Sequence, residues 1–473
     1  MKSISSPFDA VSPLDFRYYG ADPAFFERLE SYVSEKGRIR YAAKVEAALA
    51  RALAEVGVCS RAAAARIEKA CDEVTPEEVW DEEQKTHHDL RALVNCIRNR
   101  VSDHDDARRV VHLFATSADI QDTANALRLK ELCKNEIIPD LRELLLELIG
   151  LAKREANTRQ IGRTHGMHAV PTTFGFAIAL YVERLGTRLL KLADEANKLR
   201  GKMSGAVGAY NALVLGGERD PALFEKNLLE GLGLDCPLSH ISSQIVIPEP
   251  VQDLTHTALS AFTVLANLAD DIRHLHRSEI EEVQEEYKGL RVGSSTMPHK
   301  TNPKNFENVK SLWKAFIPRM ITVYLDGISE HQRDLTNSAS GRFLLETFVA
   351  LDYAIVRMKD ALSRVSVNRE AMARNLEAAA ESVMAEPLYI LLALHEKDPE
   401  AYDRVRELVR ASERSGRSLA AEVRATPELQ PMLRRIPDDK RAMLEDPSGY
   451  IGLAVERTHH ICGQWELLVQ RLP

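Results

Sequence analysis

Between residue 119 and about residue 380, apolar side chains recur at intervals of three and four over runs far longer than the roughly 11–12 residues of an average globular helix. The runs are 119–157 with a kink expected at Pro139, 172–200 after Pro171, 251–288, 304–330 with a kink near Pro318, and 335 to about 380. Few glycines, prolines or clusters of β-branched residues interrupt them, so the chain is restricted to an all-α architecture. In 119–157, Ile120, Ala124, Leu127, Ile138, Leu141, Leu145, Leu148 and Ile149 fall on one side, and Leu144 and Leu151 widen the stripe beyond what one neighbour would cover. Helices apolar on several sides fit a bundle inside an oligomer, with a large monomeric bundle as the alternative. Shorter helical patterns before and after read as smaller domains, 1–103 and 364–473, around a central long-helix bundle, 104–363. No internal repeat of fixed period and no low-complexity linker stands out.

The chain has 62 Lys and Arg against 70 Asp and Glu, a net charge of -8, so it offers no general attraction to nucleic acid or to anionic lipid. An anionic ligand must be held by a local basic cluster. The six cysteines lie apart, without a C-x-x-C pair or metal-ligand spacing, and read as reduced thiols. The first residues lack a basic patch followed by an apolar stretch, and the most apolar segment, LRELLLELIGLA, is interrupted by Glu143 and Glu147. A cytoplasmic protein without a membrane span is the expectation.

Two irregular runs lie between long helical patterns. Val292–Pro303, with Gly293, Ser294, Ser295, Thr296 and two prolines, cannot be helical throughout and leads toward a helix N-terminus near Lys304. It reads as an anion-binding loop holding a candidate nucleophile or base beside Lys300; the competing reading is a plain connector. Gly162–Thr173 carries His165 and His168, but Gly166 and Pro171 argue against one helical face, and no carboxylate or thiol completes a metal set. His87 and His88 precede another helical pattern, with Asp89 placed to cap it.

Together these motifs resemble the fumarase/aspartase superfamily, whose members cleave C–N or C–O bonds and release fumarate. The run GSSTMPHKTNP is similar to its signature loop, and His299 after Met-Pro is the residue usual in the adenylosuccinate lyase family, although cycloisomerases also carry it. SPLDFRYYG, THHDLRALV, HLFATSADIQDTA, GRTHGMHAVPTTFG, GKMSGAVGAYN, SSQIVIPEP and QRDLTNSASGR resemble that family's elements in its order, over about 12–345. Phe16 stands where glycine is commoner, and the C-terminal third matches only loosely, through EDPSGYIGLA.

The resemblance implies loss of fumarate from adenylosuccinate and from its imidazole carboxamide relative. A proton leaves one face while the nitrogen departs from the other, so two proton-transfer groups are needed. By family position Ser294 is the general base and His165 the general acid, with Lys300 stabilising the serine alkoxide and Glu307 hydrogen-bonding the catalytic histidine. Arg17, Tyr18, Arg333, Ser338 and Arg342 are implied to hold the nucleotide and its phosphate, which His112 also contacts. Thr116, Ser117, Lys300 and Asn302 would take the succinyl carboxylates, and His88, Asp89 and Gln244 would orient the base and leaving nitrogen. Each arginine taken alone is equally well read as a surface ion pair. The resemblance further implies a homotetramer with active sites shared between subunits and no metal or cofactor. Alternatives are argininosuccinate lyase, a carboxymuconate-type cycloisomerase, or an inactive structural relative.

Overall fold

The computed structural model describes residues 10–237, 241–286, 296–297 and 299–471. Ser294 lies outside the described residues. The fold is all-α, with long helices at Ile138–Arg154, Phe174–Asn197, Glu249–Leu275 and Leu344–Leu362. The only strands among the described residues form two small antiparallel pairs, Arg159–Thr164 with Met167–Thr173 and Val283–Glu285 with Val365–Val367. No helix among the described residues is long and apolar enough to cross a membrane.

Three sequence-based runs are divided differently from the expectation. Near Pro139 the helix does not break; five residues, Cys133–Ile137, widen into a π-turn in which the Ile138 N–H reaches Cys133 O. Pro139 has no N–H to give and its ring crowds the carbonyl four residues back, and the widened turn just before it relieves both. The run 251–288 ends as a helix at Leu275, because Glu282 and Glu285, good helix formers by propensity, are instead buried by tertiary partners around the strand Val283–Glu285. The run from 335 becomes Leu344–Leu362, the strand Val365–Val367 and Arg369–Val383. The pattern 304–330 divides into Lys304–Phe316 and Arg319–Leu325, the second starting after Pro318.

The chain forms two compact units that alternate along the sequence: Met1–Arg142, Thr187–Leu265 and Ser311–Arg357 in the first, Glu143–Gly186, Ala266–Lys310 and Met358–Pro473 in the second. In the first, Ser34, Ser60 and Thr75 cap successive helices by accepting from Gly37, Ala63 and Glu78 N–H groups. The helix Glu35–Glu55 is buried along Val45, Leu49 and Leu53. Arg28 ties the helix Pro23–Val33 to Glu136 (2.8 Å), Asp140 (2.7 Å) and the fully buried Asp352 (3.2 Å). In the second, the hairpin Arg159–Thr173 packs Ile161 with Leu376, Ala379 and Val383, while Leu388, Leu392, Val405 and Leu429 centre a separate C-terminal helical core.

Candidate active site

In the first unit a cavity of about 850 Å³ is lined by His88, Asp89, Ser117, Gln244, Arg333, Ser338 and Arg342. These seven belong to four separate stretches of sequence, brought together by folding.

His88 is itself the cap of the helix Asp89–Arg100, its Nδ1 accepting from the Arg91 N–H at 3.3 Å; Asp89, expected in that role, is turned to other partners. Asp89 is bound by Arg38 Nη1 at 2.8 Å and by Gln121 Nε2 at 3.1 Å. Burial would raise its carboxyl, but the Arg38 charge and the Leu90 N–H outweigh this and hold it below the ordinary carboxylate range. It therefore stays ionised.

Thr116 and Ser117 open the 16-residue helix Ser117–Leu132, whose first N–H groups favour an anion. The Thr116 N–H donates to Asp119 Oδ2 at 2.7 Å. Asp119 is fully buried, paired with the equally buried Lys202, and accepts from the N–H groups of Ser204 (3.0 Å) and Gly205 (3.2 Å). The run GKMSGAVGAYN is thereby locked to the start of this helix.

Gln244 is half-buried, and Val246, two residues on, donates its N–H to Asp122 Oδ2 at 3.0 Å. Asp122 also lines the cavity, and burial pushes its carboxyl up from the usual 3.8 to about 6. Arg333 donates to Asn337 Oδ1 at 2.6 Å, while Ser338 and Arg342 are exposed on the rim.

Sequence reasoning missed Arg38, Arg128, Arg200 and Arg319, which also line the cavity. Arg128 is 8% exposed, and burial, with Arg38 nearby, pushes its guanidinium down to about 10. Arg38, Arg128 and Arg319 stand in helices and Arg200 just beyond one, where an arginine reads as ordinary surface charge, so nothing local marks them. Of the remaining first-unit candidates, Arg17 lies over the Phe16 ring at 5.8 Å, and Tyr18 packs edge-on against Tyr353 at 5.1 Å. His112 has a left-handed backbone (φ 61) and its Nδ1 lies 2.6 Å from buried Glu46. Burial disfavours the charged ring, yet the Glu46 hydrogen bond and charge prevail and raise its pKa. None of Arg17, Tyr18, His112 and Thr116 lines the cavity.

The second unit carries His165, Lys300, Asn302 and Glu307. His165 is the first of two turn residues in the hairpin; with φ 54 at His165 and 79 at Gly166, this is the two-residue turn whose twist suits a hairpin. The side chain is exposed at the tip, and His168 pairs in register with Arg163. Lys300 and Glu307 are also exposed and Asn302 is half-buried; Glu307 stands in the first turn of Lys304–Phe316, with Arg273 Nε at 4.0 Å. Among the described residues, neither His165 nor Lys300 has a side-chain hydrogen-bond partner within the chain, and no bond joins Glu307 to His165. Among the described residues, no group of three or more His, Cys, Asp or Glu is placed to hold a metal ion.

Residues 16–314 match the lyase family model, and residues 329–442 match the adenylosuccinate lyase C-terminal domain. Adenylosuccinate lyase of Pyrococcus abyssi is 36% identical, covering 98% of this chain and 99% of that protein. The chain belongs to the adenylosuccinate lyase family of the fumarase/aspartase superfamily. Adenylosuccinate lyase of Methanothermobacter thermautotrophicus is 34% identical, over 96% of this chain and 100% of that protein. Among solved structures, a 3-carboxy-cis,cis-muconate lactonizing enzyme from Pseudomonas putida superposes with a TM-score of 0.80 at 24% identity, over 96% of this chain and 99% of that one. At that identity the likeness concerns the fold. The C-terminal match covers the region where sequence motifs were sparse, so family membership extends over both units.

Proposed function

We propose that this chain releases fumarate from adenylosuccinate to give AMP, and from SAICAR to give AICAR, by β-elimination in purine nucleotide synthesis in the cytoplasm. The observation that carries the reading is the cavity, which joins His88, Asp89, Ser117 and Gln244 with Arg333, Ser338 and Arg342 in a family member of nearly full length. A succinyl nucleotide monophosphate is strongly anionic, and the arginines around this cavity match its charge in an otherwise acidic protein. Arg333, Ser338 and Arg342 take the phosphate, aided by Arg17, Tyr18 and His112. Thr116 and Ser117, with Lys300 and Asn302, take the succinyl carboxylates. His88, Asp89 and Gln244 orient the base and the leaving nitrogen.

Ser294 removes the proton from the carbon β to the departing nitrogen, and His165 protonates that nitrogen from the opposite face. Lys300 stabilises the serine alkoxide, a role for which one well-placed donor typically supplies ~2.7–4 kcal/mol. Glu307 sets the tautomer of the catalytic histidine. The two proton transfers need only side chains, so the reaction is proposed to run without metal or cofactor.

Each site draws its residues from three subunits of a homotetramer. Support comes from the exposed Ile321, Leu325, Ile328 and Leu335, at 64, 62, 70 and 73% in the first unit, a cluster of apolar surface of the kind that a partner chain covers. Among the described residues His165 and Glu307 are not bonded to each other, and both are exposed, which fits a pairing completed by a neighbour. The test is to incubate the purified chain with adenylosuccinate, SAICAR, argininosuccinate and a carboxymuconate, and to follow fumarate or lactone formation. Fumarate from the first two alone is expected; turnover of either of the others in their place overturns the assignment.

A further inference from the structure

The segment Glu282–Glu285 touches both sets of residues to which the second unit owes its chemistry. Glu282 is fully buried and its carboxylate accepts four hydrogen bonds. Oε2 takes Gln160 Nε2 at 2.7 Å and Arg163 Nη1 at 3.2 Å; Oε1 takes Arg163 Nη2 at 2.7 Å and Asn375 Nδ2 at 2.8 Å. Gln160 and Arg163 belong to the hairpin strand Arg159–Thr164, and Arg163 is two residues before His165. The Arg163 fork on one carboxylate fixes orientation as well as distance, because two parallel bonds resist rotation.

Three residues further on, Glu285 is 2% exposed and binds Asn305 through both the side-chain amide and, at 3.4 Å, the backbone N–H. The Glu285 N–H donates to His276 Nδ1 at 3.3 Å, and His276 Nε2 lies 3.1 Å from the carbonyl of Thr301. A backbone N–H can only donate, so Nδ1 carries the lone pair and Nε2 carries the proton that Thr301 accepts. His276 is therefore a neutral bridge in one defined tautomer, joining Glu285 to the residue between Lys300 and Asn302. The strand itself is held by its pairing with Val365–Val367, and by the bonds Glu282 N–H to Leu275 O and Asn368 N–H to Glu282 O, both 3.0 Å.

We propose that Glu282 and Glu285 are positioning residues, the first for the hairpin bearing His165 and the second, through His276 and Asn305, for the segment bearing Lys300 and Asn302. One short strand then sets both places in the same chain. The roles given to His165 and Lys300 rest on the lyase reading above; the bracing does not. A buried carboxylate suits this purpose because loss of its charge leaves the partly buried Arg163 without its counter-ion, so the hairpin cannot stay in place at no cost.

The experiment uses the full chain with Glu282→Gln, which keeps size and removes charge, and Glu285→Gln. Hydrogen exchange followed by mass spectrometry reads the backbone directly. E282Q is expected to speed exchange at least tenfold in 159–173 and E285Q to do so in 300–305, with the C-terminal core 385–430 unchanged in both. With adenylosuccinate as substrate, kcat should fall more than tenfold in E282Q while KM stays within about twofold, a split that general loss of fold would not produce. Arg163→Lys, which keeps the charge but loses the fork, should show the same pattern at the hairpin and carries the test if E282Q does not fold. Unchanged exchange in 159–173 for E282Q, or in 300–305 for E285Q, overturns the brace. A parent chain that is inactive on adenylosuccinate while exchange responds as expected overturns the lyase reading alone and leaves the brace standing.

Discussion

The first unit keeps Asp89, Thr116 and Arg333 in a web of internal bonds, whereas in the second His165 and Lys300 are exposed and, among the described residues, have no side-chain hydrogen-bond partner. Asp89 is held by Arg38 and Gln121, the Thr116–Ser117 helix start by Asp119 and Lys202, and Arg333 by Asn337. The contrast follows from the two tasks. Binding groups face charges that the substrate carries throughout, so rigid preorganisation helps them in every state. Proton-transfer groups must meet a substrate held elsewhere, and in the second unit it is the base of each element, at Glu282 and Glu285, that is fixed rather than its tip.

If that division of labour is right, the largest effects belong to the residues proposed to transfer protons. Ser294→Ala and His165→Ala should each lower kcat roughly 10²–10⁴-fold with KM little changed, as expected of groups acting mainly in the transition state. Steady-state kinetics reads this, and a tenfold rise in KM at unchanged kcat would move either residue to the binding side. Arg333→Ala should show the opposite split, weakening nucleotide binding roughly 10–100-fold through loss of a charged hydrogen bond; calorimetry with AMP measures it.

Stability separates the regions next. Lys202→Met leaves the carboxylate of Asp119 buried without its cation and should cost about 3–5 kcal/mol in denaturant unfolding, if the unit unfolds reversibly. A change on the exposed hairpin tip such as His165→Ala should cost less than about 1 kcal/mol by the same measurement. Equal losses would erase the comparison.

The effect seen only as a change with pH is in the cavity wall. The Asp122 carboxyl is pushed by burial from 3.8 to about 6, so the folded state holds its proton more tightly than the unfolded state does. That contribution is full below about pH 4 and is lost as pH rises through about 6, on the order of 3 kcal/mol in all. In Asp122→Asn the slope across this window should flatten relative to the parent. A parent that instead loses stability relative to the variant as the pH falls would mean that the charged form is the one stabilised.

The same contrast explains what could be read from sequence. Helical periodicity gave the long helices because an apolar stripe is a local property; the run read from 119 begins two residues earlier, at Ser117. The His165 hairpin was not foreseen: the His-Gly turn resembles Asn-Gly in its tolerance of positive φ, but the strands beside it are short and contain Pro171, which ordinarily argues against a strand. The strand at Val283–Glu285 was hidden inside a helical pattern, since Glu282 and Glu285 look like solvent-facing helix residues until their partners, Arg163 and Asn305, are known. Arg38 and Arg128 were passed over for the same reason. Burial of a charge depends on contacts across the fold, and a spacing of three or four does not carry that information.

The most direct test of the division between chains is complementation. Mixing His165→Ala with Ser294→Ala under conditions of subunit exchange should restore activity, because a site can draw its hairpin from one variant and its serine from the other. Random equal mixing gives each requirement a probability of about one half, so roughly a quarter of sites should work. Activity near a quarter of the parent in hybrids verified by tagged co-purification is the predicted result; hybrids that form yet remain as inactive as either variant alone would place the whole site within one chain.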